Sequence, residues 1–351
     1  MTTQNPPLAN RGVVIEKKEP NQDEKPLTAM VDYLRCTFKT HDVDFIIENV
    51  VHLKKVYMEE KPSGFYGYVG TFQLDYIKVF YSKPGDPKGI LVEMSGKGCR
   101  QFESFLRARK KTWFDFFRDC LHHGGSFSRF DLAIDDYKTY FPIPTLLEKV
   151  KNGEAISRFR KSDFNGSLDI VDGSNGGTTL YFGSKKSEAY LCFYEKNFEQ
   201  AEKLNVPVEE FGDWNRYELR LKNDRAQNAI HSLVDSEDLL DIAMQIINNY
   251  LRFVDRDDDV SRERWKTSEF WKDFIGEVGK LSLSMKPEED YYQKSKTWLQ
   301  NYCAPTMRMV LEADQALGKQ DLSDMVTNAE MSPRHEKMLD VLLATPEEMV
   351  C

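Results

Sequence analysis

Residues 178–200, TTLYFGSKKSEAYLCFYEKNFEQ, set two runs of alternating residues on either side of a basic, glycine-containing turn. A period of two marks a half-buried strand, and two such runs about Gly183, Ser184, Lys185, Lys186 and Ser187 read as a hairpin. In the second run Tyr190, Cys192, Tyr194 and Lys196 share one face, while Ala189, Leu191 and Phe193 form an apolar face that packs inward.

Three other segments alternate in the same way. In residues 126–137, SFSRFDLAIDDY, Phe130, Leu132 and Ile134 point to one side and Arg129, Asp131, Ala133 and Asp135 to the other. In residues 214–222, WNRYELRLK, Tyr217, Leu219 and Leu221 oppose Trp214, Arg216, Glu218, Arg220 and Lys222, so Glu218 is a lone acid in a basic row. In residues 89–96, GILVEMSG, Glu93 interrupts an otherwise apolar strand and needs a partner. Carboxylates at close range repel one another, but a bound Mg²⁺ or Mn²⁺ makes their clustering favourable and leaves positions for water and phosphate. Glu93, Asp131 and Glu218, with Asp135, are therefore candidate ligands of such an ion. Tyr194 is the candidate nucleophile toward a phosphodiester. A phenol with a pKa near ~10 needs help to ionise. Arg129, Lys185, Lys186, Lys196, Arg216 and Arg220 are the candidates to contact DNA phosphates and neutralise developing charge.

At these residues the chain resembles the Rep-trans group of rolling-circle plasmid replication initiators and the related MobT relaxases of integrative conjugative elements, NicK-type proteins included. FSRFDLAIDD is similar to the family's acidic strand, YFGSKKSEAYLCFYEK to the segment ending in its nucleophilic tyrosine, and WNRYELRLK to its Arg-x-Glu strand. The segment VDYLRCTFKTHDVDFIIENV looks more like the conjugative-element relaxases. The likeness spans roughly residues 30–224 and does not reach the C-terminal third. It implies that Tyr194 forms a covalent 5′-phosphotyrosine link, that Asp131, Glu218 and Glu93 hold a metal ion, and that Asp135 matches a further acidic position.

Each residue also has a plainer role. Tyr194 competes with Tyr190 and Tyr137 among 16 tyrosines, Asp135 and Asp136 are good strand-end turn residues, and Glu218 is a natural cross-strand ion-pair member. His122 and His123 before Gly124 and Gly125 fit a helix C-terminus. The six histidines contain no His-x-His pair, so a carboxylate metal site is the more economical reading. Six cysteines without CxxC spacing point to reduced structural thiols rather than zinc.

The net charge of −9 is unevenly spread: residues 226–351 hold 24 acidic and 14 basic side chains, leaving 33 and 34 in residues 1–225. Basic groups at 107–111 and 158–161 lie in the first part, where they either follow phosphates or simply face solvent. No apolar run reaches the ~20 residues of a membrane span, and the first residues lack a signal peptide's apolar core, so a cytoplasmic protein is expected.

Periodicity predicts an α+β fold: an antiparallel-rich sheet with helices on one face, followed by a mostly helical C-terminal region. The expected divisions are an unstructured segment at 1–27, a nicking and strand-transfer domain at 28–225, and an acidic helical domain at 226–351. Strands are expected at 32–40 and 67–81, and helices at 43–53, 101–121, 145–151, from about 261, at 307–317 and at 333–344. The expected activity is metal-dependent nicking of single-stranded or hairpin origin DNA with strand transfer through Tyr194. A non-catalytic DNA-binding or partner-recruiting protein, and a metal nuclease that uses water, are the alternatives. Three roles are open to the helical part: recognising the origin, holding a homodimer, or docking a host helicase or conjugation coupling protein. Trp265, Trp271 and Trp298 mark packing or partner surfaces there.

Overall fold

The computed structural model describes residues 27–62, 64–276, 296 and 299–351. The expected unstructured stretch at 1–27 lies outside the described residues apart from Leu27, which opens the first strand, and Trp298 lies outside them too. The chain begins with β1 (Leu27–Phe38), a short helix α1 (Val43–Phe45) extended by a π-turn, and the strands β2 (Glu59–Lys61), β3 (Gly70–Leu74), β4 (Ile77–Tyr81) and β5 (Ile90–Met94). Helices α2 (Gly96–Ala108) and α3 (Trp113–His122) lead to β6 (Ser126–Asp136), α4 (Ile143–Lys151), β7 (Ala155–Ser157), β8 (Ser162–Leu168), β9 (Asn175–Gly183) and β10 (Ala189–Glu195). Then come α5 (Lys196–Leu204), β11 (Asn215–Lys222), α6 (Asp224–Ser236), α7 (Leu239–Tyr250), β12 (Leu251–Phe253) and α8 (Glu269–Gly276). Four more helices follow at Ala304–Leu317, Asp321–Thr327, Pro333–Leu343 and Pro346–Met349.

Ten strands form one antiparallel sheet in the order β2-β3-β4-β5-β1-β6-β11-β10-β9-β8. Its back is covered by α2, α3, α6 and α7, which bury the alternate apolar residues of the central strands. Trp113 stacks on Phe117 at 5.8 Å, and Phe117 meets Phe130 of β6 edge-on at 5.6 Å, an arrangement aromatic rings favour. Helix α6, which spans the expected boundary at residue 225, and α7 beyond it thus pack on the same sheet as the strands before them. The chain end returns as well: Met349 is buried in the core and Val350 pairs with Leu53.

Two helical expectations are corrected. Residues 101–121 are two helices, because Lys110 takes a left-handed φ of 55° and Thr112 opens α3 with a reciprocal capping box to Asp115. The stretch after Ser261 forms only a short turn at Arg262–Arg264, and the helix proper begins at Glu269. His123 and Gly124, the latter at φ 74°, close α3 as the sequence suggests. All six cysteines are free thiols. Among the described residues no helix is long and apolar enough to cross a membrane.

Candidate active site

The open face of the sheet carries the polar halves of β1, β6, β10 and β11, and pairing register lays them out in rungs. Tyr194, Arg216, Asp135 and Thr28 lie opposite one another on the first rung. Cys192, Glu218, Ala133 and Met30 make the second, and Tyr190, Arg220, Asp131 and Tyr33 the third. Lys222, Arg129, Arg35, Glu93 and Lys78 make the fourth. The four acids predicted from the sequence therefore fall one to a rung, each within reach of a cation.

Tyr194 donates its phenol proton to Glu218 Oε1 at 2.8 Å, and Lys196 Nζ stands 3.3 Å from the same hydroxyl. Arg220 holds the other oxygen, Glu218 Oε2, at 2.7 Å. Burial first, and the Glu218 charge second, push the Tyr194 phenol far above its ordinary value. The phenol is thus poised against an acceptor and beside cations, but stays protonated until its proton is taken. Beside it opens a cleft of about 960 Å³ lined by Thr178, Tyr181, Tyr194, Phe198, Glu218 and Arg220. Gly177, at φ 106°, lets the cleft wall pass Phe198, whose Cβ would lie 2.9 Å from a side chain added there.

Tyr190 sits differently. It is buried, stacks on Tyr181 at 5.9 Å beneath Arg220, and its hydroxyl makes no hydrogen bond with a described residue. Burial, then the Cys192 thiol, push it up to about 12. Tyr137 stacks on Trp214 at 5.5 Å.

Asp131 accepts both nitrogens of Arg129, at 3.0 and 2.5 Å, yet burial outweighs that pairing and raises its carboxyl from 3.8 to about 6. Asp135 is bound by Arg216 at 2.7 and 2.8 Å and by Trp214 Nε1 at 2.8 Å. Its neighbour Asp136 turns inward to accept three backbone N–H groups and the Tyr217 hydroxyl, so the strand-end turn reading belongs to Asp136 and the open-face reading to Asp135. Glu93 accepts Tyr33 at 2.7 Å and Arg35 at 2.6 Å. It is two strands and one rung from Asp131, roughly 12 Å at usual strand spacing. Lys185 and Lys186 are exposed at the far end of the hairpin, five residues of strand before Tyr194, about 17 Å away.

Sequence reasoning missed Asp32. A β-bulge between Val31 and Tyr33 adds one residue to β1, so Leu27, Ala29 and Val31 face the core in one phase and Leu34, Cys36 and Phe38 in the next. Asp32 and Tyr33 both escape the core as a result. Two consecutive polar residues between two alternating runs were the available signal. Asp32 makes no hydrogen bond or ion pair with a described residue; burial and then the Glu218 charge raise its carboxyl, and its own charge raises Asp131.

Among the described residues no three acidic, cysteine or histidine side chains stand close enough to share one metal ion as they are oriented. The set Glu93, Asp131, Asp135 and Glu218 is not brought together. What the sheet does assemble is Asp131 and Glu218 on adjacent strands one rung apart, diagonal neighbours at ~7–8 Å. Asp32 is near enough for the Glu218 charge to raise it and for its own charge to raise Asp131, but it lines a separate small cavity with Ser95, Lys97, Arg100 and Lys203.

A family model described as "Replication initiation factor" matches residues 125–326, and another, "Rolling Circle replication initiation protein N-terminal domain", matches residues 28–119. Over 345 residues, 98% of this chain and 98% of the relative, the chain is 69% identical to the "Putative DNA relaxase NicK" of Bacillus subtilis (strain 168). The solved structure of the Rolling Circle Replication Initiator Protein from Geobacillus stearothermophilus superposes with a TM-score of 0.64 at 30% identity, covering 74% of this chain and 99% of that one.

Proposed function

The chain belongs to the replication initiation factor family, and from that premise we propose that it nicks one DNA strand at an origin and carries the cut end on Tyr194. The observation that supports this reading best is the hydrogen bond from Tyr194 to Glu218 beside Lys196. As the phenol oxygen attacks a phosphodiester, Glu218 takes the phenol proton and Lys196 and Arg216 balance the charge growing on oxygen. The new bond joins Tyr194 to the 5′ phosphate. The bond to the 3′ oxygen breaks, and that oxygen takes a proton from solvent to become a free 3′-hydroxyl for a polymerase. The phosphoester energy is kept in the tyrosyl link, so a second transfer can reseal the strand without ATP.

Asp131 and Glu218 are the acids that would hold a Mg²⁺ or Mn²⁺ ion once their side chains turned from Arg129 and Arg220 toward it; bound, the ion would polarise the scissile phosphate. Glu93 and Asp135 serve instead to hold Arg35 and Arg216. The residues proposed for nicking and transfer all lie in residues 28–225, on a sheet whose back is completed by α6 and α7. The helical region at 226–351, which exposes Leu311, Leu317, Met325 and Leu343, is where a second copy, a helicase or a conjugation coupling protein would dock.

Incubating the protein with labelled single-stranded origin DNA and Mg²⁺ tests the reading. An SDS-resistant adduct that disappears in Tyr194→Phe is expected. Cleavage without an adduct would make the protein a hydrolase, binding alone would make it a scaffold, and an adduct surviving in Tyr194→Phe would move the nucleophile elsewhere.

A further inference from the structure

The open face does not end at the cleft. Beyond the rung of Asp131, residues 64–69 fold over β4 and β5, where Tyr68 packs with Phe80 and Leu91 in a small cluster of its own, separate from the main core. This leaves Phe65 and Tyr66 exposed, at 69% and 54%. A large aromatic residue gains nothing from solvent, and Tyr66 is held there at a φ of 59°, in the left-handed region a bulky side chain avoids. Arg35 fixes it from below: its guanidinium lies 4.3 Å from the Tyr66 ring centroid and hydrogen-bonds the Tyr66 hydroxyl, while its Nε is gripped by Glu93.

The same guanidinium is 5.5 Å from the Tyr33 ring, whose face is covered by Arg129 at 3.9 Å. Arg129 in turn is one rung from Arg220, which lines the nucleophile cleft. From Arg129 outward guanidinium and ring alternate, through Tyr33 and Arg35 to Tyr66, with Arg220 joining this series to the cleft. The three arginines keep side-chain exposures of 24%, 27% and 33%, enough to present donors to a ligand running over them. Successive unpaired bases and phosphates match such a surface; a duplex, with its base faces stacked away, does not.

We propose that Phe65 and Tyr66, with Arg35 and Arg129, form a binding track for the single-stranded DNA flanking the nick, the two rings stacking on bases and the two guanidinium groups meeting phosphates. Glu93 is then a positioning residue that aims Arg35 and, through it, Tyr66. This rests on the strand-nicking reading above and extends it from the bond that is cut to the strand leading away from it.

The test is the affinity of the full chain for a fluorescein-labelled thymidine 12-mer, read by anisotropy at several salt concentrations. Phe65→Ala and Tyr66→Ala should each weaken binding by about 5- to 150-fold with the salt slope unchanged, since stacking releases no counterions. Arg35→Gln should flatten the slope by about 0.7. Tyr66→Phe keeps the ring and should keep the affinity. Phe65→Ala is the safer variant for folding, because that side chain is mostly exposed. Wild-type affinity in the Phe65→Ala and Tyr66→Ala variants overturns the proposal, and so does an equal loss of affinity for a 12-base-pair duplex. Adduct formation by the wild-type protein is scored separately: an adduct without an affinity change removes the track alone, and an affinity change without an adduct removes the strand transfer alone.

Discussion

Replacing Asp131 with asparagine keeps the shape of the buried side chain and one of its two bonds from Arg129 but removes the proton equilibrium. In the folded protein burial raises that carboxyl from 3.8 to about 6, against the pull of Arg129. The folded state therefore binds a proton that the unfolded chain has already released through the window from about pH 4 to about pH 6. Stability contributed by protonated Asp131 is fully present below pH 3.8 and lost as pH rises through about 6. At pH 7 the ionised group then carries a penalty of about 3 kcal/mol. Asparagine cannot titrate, so the stability of Asp131→Asn minus that of the wild type should grow by about 2 kcal/mol from pH 4 to pH 7, whatever constant offset the neutral partner gives Arg129. Urea unfolding in EDTA at pH 4, 5, 6 and 7 measures this directly. Because Asp32 raises Asp131, the gain at pH 7 from Asp32→Asn and Asp131→Asn together should differ from the sum of the single gains. Saturating Mg²⁺ should shrink the pH 7 difference by stabilising the ionised wild type. A stability difference that is flat with pH, or that falls as pH rises, would refute the account of the site's electrostatics.

Three other outcomes are expected. Glu218→Gln leaves Tyr194 without a proton acceptor and should slow single-turnover adduct formation by about 10²- to 10⁴-fold. Asp136→Ala strands three backbone N–H groups and the buried Tyr217 hydroxyl, and should cost about 3–5 kcal/mol by urea unfolding, with loss of solubility an alternative readout of the same defect. Gly89→Ala would place a methyl group 2.0 Å from the Phe38 carbonyl oxygen at a φ of 64°, so its melting temperature should fall by an amount equivalent to more than about 1 kcal/mol.

The open face was legible in the sequence because its strands alternate strictly. Phe130, Leu132 and Ile134 leave Asp131 and Asp135 no choice of side, and Tyr217, Leu219 and Leu221 do the same for Glu218. What alternation does not carry is which strands are neighbours. Only the order β5-β1-β6-β11-β10 puts Glu93 two strands from Asp131 while bringing Glu218 beside it and under Tyr194. Strand β8 escaped notice for another reason: SDFNGSL has no apolar alternation, and its residues are largely exposed on both sides at the sheet edge. The break in residues 101–121 was hidden because the apolar spacing continues through Lys110, and only the backbone reversal there separates the two helices.

The extra residue in β1 has a consequence for how this chain tolerates change in length. Upstream and downstream of Asp32 the strand is read in two frames, and the switch between them is what keeps an acid in front of Glu218 while Val31 and Leu34 both remain inside. Deleting Asp32 or Tyr33 would leave one continuous frame in which Val31 and Leu34 still both face the core, so the strand would keep its apolar face and lose only one polar side chain from the open face. The added residue is thus kept for the polar side of the strand, and a chain one residue shorter there would fold its interior unchanged while presenting a different surface to a ligand.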